Sequence, residues 1–134
     1  MNIINLSKEE IETIEDRLDA YDEEHIKYPI SGHISIGVKE NDKLIAGLDG
    51  QMTTFNIFYL STLYVNEEYR RKGYGKALVK EMEKRAKDLG ANTIRLDTFD
   101  FQGKDFYSSL GYEQVGYYRN DEDDYEEYFF LKRI

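Results

Sequence analysis

The sequence predicts an α/β fold in which antiparallel strands flank a parallel βαβ core, and three observations carry that prediction. An apolar run, Ile57 to Val65, leads through a glycine-punctuated basic turn into a helical pattern and out again to a second strand-like run, Thr93 to Phe99. Ahead of it, from Ser31, apolar residues recur every second position. Behind it, two aromatic runs, Tyr112 to Arg119 and Tyr125 to Arg133, are separated by an acidic turn.

Taken in order, Asn2 to Leu6 reads as a short strand, and Ser7-Lys8-Glu9-Glu10 as a capping box with Ser7 as N-cap. Ile11, Ile14, Leu18 and Tyr21 follow at helical spacing, an apolar stripe expected to face the core of an otherwise acidic helix. Asp22 to His25 carries the polar face into a linker that Pro29 ends. Ile34, Ile36 and Val38 then alternate with Ser35, Gly37 and Lys39, and Asn41-Asp42 makes a hairpin turn into Lys43 to Leu48. Gly50 to Asn56 reads as a connection. Ile57 to Val65 is apolar enough for a strand buried on both faces.

The helix Ala77 to Leu89 places Leu78, Met82, Ala86 and Leu89 on one side, and Gly90 stops it. Thr93 to Phe99 must return parallel to Ile57 to Val65 through a right-handed crossover. That puts the glycine turn at the carboxyl end of a strand, where ligands commonly bind in α/β sheets. Gly103 to Leu110 reads as a short helix ended by Gly111, and Asn120 to Asp124 as the turn between the two aromatic strands.

Composition bounds the rest. The 134 residues suit one core and hence one domain, 1–134, and 40% hydrophobic content with 14% aromatic residues predicts a folded chain. With 27 acidic and 18 basic residues, the net charge of -9 repels nucleic acid and anionic membranes and favours a cationic partner. Cysteine is absent, which excludes thiolate catalysis and suits a reducing compartment. No apolar run approaches the roughly 18 residues of a membrane span, and the opening MNIINLSKEE lacks a signal-peptide core. The expectation is a cytoplasmic protein. The acidic residues show no EF-hand spacing and the two histidines no helix-face pairing, so no metal is expected.

Local basicity in so acidic a chain singles out Arg70-Arg71-Lys72-Gly73-Tyr74-Gly75-Lys76. A strand, a glycine turn and a helix start leave backbone N–H groups unpaired with cations beside them, a cradle for an anion. A dinucleotide fingerprint would need glycine at Leu78; a P-loop would need glycine at Arg70 and Ser or Thr at Ala77. What remains is R-x-x-G-x-G. Preceded by LSTLYVNEEY and followed by a helix, TIRLDTF and DFYSSLGYE, it resembles the GNAT superfamily of N-acetyltransferases over about Ile34 to Leu131.

The resemblance implies a mixed, mostly antiparallel sheet of about six to seven strands with about four helices. It implies acetyl-CoA as co-substrate, its pyrophosphate on the amides of Arg71 to Lys76, supported by the charges of Arg70, Arg71, Lys72 and Lys76, with Gly73, Tyr74 and Gly75 in the turn. In such proteins pantetheine lies like an added strand against the end of the strand before the loop, where that strand splays from the next. The matching positions are Leu63, Tyr64 and Val65, and a main-chain N–H there also stabilises the oxyanion of the reaction. Asp100 stands where relatives usually carry a pantetheine-contacting Asn, and Gly103 where alanine is usual. Tyr107 holds the position of the tyrosine that protonates the leaving thiolate.

For the general base the resemblance points to a carboxylate on the strand, but Ser61 and Thr62 stand there. Glu23, Glu24, Asp123 and Asp124 are substitutes, with His25 and His33 behind them. The expected activity is acetyl transfer to a small or cationic amine. The alternative is a CoA-binding sensor or interaction module of the same fold. A homodimer pairing through the aromatic C-terminal strand is a further expectation.

Overall fold

A computed structural model describes residues 1–26, 31–100 and 102–134. Along the chain lie α1 (Lys8–Glu23), β1 (His33–Glu40), β2 (Lys43–Met52), β3 (Ile57–Val65), α2 (Tyr74–Asp88), β4 (Thr93–Phe99), α3 (Lys104–Ser109), β5 (Glu113–Asn120) and β6 (Tyr125–Arg133). A left-handed turn at Thr54–Asn56, with Phe55 at φ 56° and Asn56 at φ 63°, and a single 3₁₀ turn, Glu67–Tyr69, flank β3. The six strands form one sheet in the order β1-β2-β3-β4-β6-β5. Every neighbouring pair is antiparallel except β3 and β4, the parallel pair joined through α2.

Local chemistry accounts for most of these elements. Asn41 and Asp42 take φ of 50° and 64°, the left-handed pair of a two-residue hairpin turn that twists β1 and β2 correctly onto each other. Leu78, Val79, Met82 and Ala86 bury one face of α2, which lies across β1, β2 and β3. Against them the sheet presents Phe58, Leu60, Ile94, Leu96 and Phe130, and truncating a side chain as enclosed as Met82 costs about 2–5 kcal/mol. The stripe predicted for α2 differs at one end. Leu89 caps the helix one residue past its last turn and is exposed, while Val79 joins the buried face.

The chain departs from its sequence pattern elsewhere too. Residues 2–6 form no strand and lie exposed. In α1 the capping box is made, Ser7 Oγ accepting from the Glu10 amide at 3.2 Å and Glu10 Oε1 from the Ser7 amide at 3.1 Å. The stripe it starts faces no core: none of the residues of α1 is buried. β3 is buried at Phe58 and Leu60 but exposed at Ser61 and Thr62, so only its first half sits inside the sheet. β6 is an interior strand between β4 and β5, which removes the C-terminal strand as a pairing edge; the edges are β1 and β5. The predicted stop at Pro29 falls outside the described residues. Among those described, no helix is long and apolar enough to cross a membrane.

Candidate active site

β3 and β4 begin as partners and then part. Only Ile57, Phe58 and Tyr59 pair with Thr93, Ile94 and Arg95, after which β4 continues against β6 as far as Phe99. The cause lies on the other edge of β3. Its register with β2 steps from Asp49↔Thr62 to Gly50↔Leu60, leaving Ser61 as an extra residue, a bulge that bends the strand away. The Asn66 amide bonds Ile45 O at 2.8 Å, which fixes the alternation along this end. Tyr64 therefore directs its main-chain groups to β2, while those of Leu63 and Val65 face the opening between β3 and β4.

The basic loop closes that opening's near end. Arg70 turns back to donate from Nε to Val65 O at 2.8 Å, and its guanidinium lies 5.3 Å from the Tyr64 ring centre. Arg71 at φ 61° and Gly73 at φ 89° coil the turn left-handedly into α2. The amide of Ala77 is the first in the helix to find a main-chain acceptor, Gly73 O at 3.0 Å. Those of Tyr74, Gly75 and Lys76 ahead of it have no protein acceptor among the described residues, as expected of an uncapped N-terminus. A Cβ at Gly73 would meet nothing within 4 Å, so the space beside the turn is open where these amides begin. Tyr74 anchors the turn by donating its hydroxyl to Glu40 Oε1 at 2.5 Å, and Lys72 lies over the Tyr69 ring at 5.4 Å. An exposed row of unpaired amides between Arg71 and Lys76 fits a diphosphate.

Gly75 is where the predicted parts converge. A Cβ there would lie 3.2 Å from the Phe106 ring and 3.7 Å from Val65 Cγ2, so the end of β3, the loop and α3 meet at this glycine. Next to Phe106 stands Tyr107, whose ring is packed against Phe106, Tyr112 and Phe130 at centroid distances of 5.1, 5.8 and 6.2 Å. Only 8% of the residue is exposed, and burial pushes its phenol up to about 12. Among the described residues the hydroxyl has no protein partner, yet no buried polar side-chain atom is left unsatisfied, so this oxygen reaches the surface. Gly103 makes room for it: a Cβ would stand 3.3 Å from the Tyr107 ring. Asp100 is exposed, with its amide donating to Glu126 O at 3.0 Å.

The carboxylates proposed from sequence are dispersed. Glu23 and Glu24 lie at the end of the exposed α1; Asp124 bonds Arg119 at 3.3 Å, and the Asp123 amide bonds Asn120 Oδ1 at 3.1 Å, both in the β5–β6 turn. His25 stacks on Tyr21 and meets its carbonyl at 2.8 Å. Two acids missed by sequence reasoning flank the splay instead. Asp97, two residues past the last paired residue of β4, accepts the Tyr59 hydroxyl at 2.6 Å. Glu127 sits beside it, its carboxyl raised by burial and by a hydrogen bond to Asp97. On β2, Asp49 takes His33 Nε2 at 2.8 Å and the Ser35 hydroxyl, bonds that hold its carboxyl below the usual range. No motif marks these residues, because strand pairing alone brings them together. Among the described residues no group of His, Cys, Asp and Glu could hold a metal ion.

The profile of the acetyltransferase (GNAT) family matches residues 2–112. An acetyltransferase from Bacillus cereus ATCC 14579, solved as a crystal structure, is 30% identical, with a TM-score of 0.91 over 100% of this chain and 98% of that one. An aminoglycoside 6'-N-acetyltransferase complexed with coenzyme A (22% identity, TM-score 0.67, 85% of this chain and 78% of that one) shares the fold. So does the aminoglycoside 6'-N-acetyltransferase of Enterococcus faecium (22%, TM-score 0.66, 85% and 78%). None of the curated proteins matches the chain. A profile spanning most of the sequence, and a likeness that runs its full length, establish that this chain belongs to the acetyltransferase (GNAT) family.

Proposed function

We propose that the protein transfers the acetyl group of acetyl-CoA to the primary amine of a small cationic acceptor in the cytoplasm. The observation that carries this is the row of unpaired amides at Tyr74, Gly75 and Lys76, opening beside the main-chain edge of Leu63 and Val65 that faces away from β2, where Arg70 takes the Val65 carbonyl and leaves the amides. When bound, acetyl-CoA supplies an activated thioester. The amides of Arg71 to Lys76, with the Arg71, Lys72 and Lys76 cations, hold its diphosphate. Leu63 and Val65 take its pantetheine arm as an added strand, and their amides supply donors to the acetyl carbonyl. Arg70 and Tyr74 act on the shape of the loop, each being tied to the protein by its own hydrogen bond.

Tyr107 supplies a proton. Its raised pKa keeps the phenol protonated at neutral pH, and its hydroxyl is not held by any described residue. Asp97 accepts the proton released by the amine, directly or through water, from the mouth of the splay. A net charge of -9 and the small-amine acceptors named for the aminoglycoside acetyltransferases of this fold support a cationic small molecule. Thiol release from acetyl-CoA, measured over a panel of primary amines that includes polyamines and aminoglycosides, tests the proposal; one amine that stimulates release is the expected result. Tight binding of coenzyme A with no stimulation by any amine would favour a sensor or interaction module instead.

A further inference from the structure

We infer that α1 is exchanged between two copies of this chain, each helix lying in the groove that β1, β2 and β3 of the other copy form on the face turned away from α2. The helix is fully built, capped at its N-terminus, and carries Ile11, Ile14, Leu18 and Tyr21 along one side at 44%, 51%, 57% and 61% exposure. An isolated helix of 16 residues is marginal in water, and an amphipathic one is stabilised by the surface its apolar side meets. The chain's own body offers none, since no residue of α1 is buried.

Among the described residues a surface that can take it is present and uncovered, apolar at its centre with Ser35, Asp49 and Thr62 also in its lining. Ala46, Leu48 and Gly50 of β2 are buried toward α2, so Gly47 and Asp49 point to the opposite face. There a groove of about 500 Å³ runs between the exposed side chains of Leu44 and Tyr64, floored by the cross-strand pair Gly37 and Gly47. A Cβ at Gly47 would meet only Ile36 O, at 3.7 Å, so bare backbone faces the groove where a helix can approach closely.

The occupant follows from the Bacillus cereus structure. Residues 1–23 are too large a share of the chain for a TM-score of 0.91 over 100% of it to be reached without them, so α1 stands off the body there in much the same place. A helix held by nothing would not keep one position in two proteins of 30% identity, and a crystal of one protein offers it another copy to lie against. At 1.5 Å per residue each helix is about 24 Å long, and two of them laid on sheet faces bury on the order of 2,000 Å² in total, the size of a stable dimer interface.

Sedimentation of the full chain tests this, with coenzyme A affinity measured alongside so that failure of the proposed activity is read separately. The expected result is a dimer at micromolar concentration that Leu18→Asp converts to monomer, with coenzyme A binding retained. Gly47→Leu, which fills the groove from a position with space around it, should do the same. Mixing the two variants should restore association, because one intact helix then meets one intact groove. A monomeric wild type, or a dimer that survives both substitutions, overturns the inference. So does a monomer whose melting temperature falls on Leu18→Asp, since its helix would then be packing on its own sheet.

Discussion

The Tyr59 hydroxyl donates to Asp97 Oδ1 at 2.6 Å across the point where β3 and β4 separate. This bond fixes the carboxylate at the mouth of the splay, and it raises the Tyr59 phenol, with burial adding to the effect. Asp97→Asn keeps the size and one acceptor oxygen but cannot take a proton. Its kcat should fall by about a hundredfold or more, the ordinary worth of a general base, with the KM for acetyl-CoA unchanged. Tyr59→Phe, which leaves the acid in place but free to rotate, should cost less. Steady-state kinetics of both variants separate the two roles, and equal losses would argue against Asp97 as proton acceptor.

The two glycines of the loop should respond differently to alanine. Gly73 needs its left-handed φ of 89°, so Gly73→Ala strains the turn by about 1 kcal/mol although nothing crowds the new methyl. Gly73→Asn, which tolerates that conformation, should recover most of the loss. At Gly75 the backbone is helical and alanine is the better helix former, but its methyl would press on Phe106 at 3.2 Å. Gly75→Ala should therefore weaken coenzyme A binding more than stability. Thermal denaturation with and without coenzyme A reads both effects.

Behind the site, Lys132 ties α2 to β6. Its Nζ lies 2.9 Å from Glu83 Oε2 and 2.9 Å from Leu110 O, and Glu83 Oε2 also accepts the Tyr112 hydroxyl at 3.0 Å. Tyr112 is buried and, among the described residues, Lys132 would keep only Leu110 O as acceptor, so Glu83→Ala would leave a buried phenol unpaired and an ammonium without its counter-charge. A loss of about 2–3 kcal/mol is expected in urea denaturation. Glu83→Gln, which keeps an acceptor, should lose less.

How far the sequence is legible follows the range of the interactions. The β1–β2 turn at Asn41-Asp42, the helix after the basic turn and its stop at Gly90 are written within a few residues, and the structure reproduces them, with α2 starting at Tyr74 where the pattern pointed to Ala77. The R-x-x-G-x-G loop was readable for the same reason. The bulge at Ser61 was not, because an extra residue in a strand is defined only against its partner. Asp97 meets Tyr59 from 38 positions away, so no spacing rule marks it as a site residue. The stripe on α1 shows the same limit. Periodicity states which side of a helix is apolar and not which surface covers it. The place of β6 between β4 and β5 is likewise a matter of strand order, which alternation cannot encode.

Tyr107 offers the cleanest separation of chemistry from structure. Its hydroxyl has no partner among the described residues, so Tyr107→Phe removes no hydrogen bond to them, leaves the ring packing against Phe106, Tyr112 and Phe130, and should change stability at neutral pH by less than about 1 kcal/mol. At high pH the two proteins should diverge. Burial raises the folded phenol to about 12, whereas in the unfolded chain it ionises near its ordinary value of about 10. Below pH 10 both states hold the proton and stability is intact. Between about 10 and 12 the unfolded chain releases it first, so stability falls with rising pH, by about 2–3 kcal/mol from this residue once both states are ionised. Tyr107→Phe should lose that much less over the same window, which chemical denaturation at stepped pH would show. Against this background its turnover becomes interpretable: a kcat reduced tenfold or more at neutral pH, in a protein of unchanged melting temperature, would assign the phenol to proton donation. Full turnover across the pH range would leave Tyr107 as packing alone, and the departing thiolate would have to take its proton from solvent.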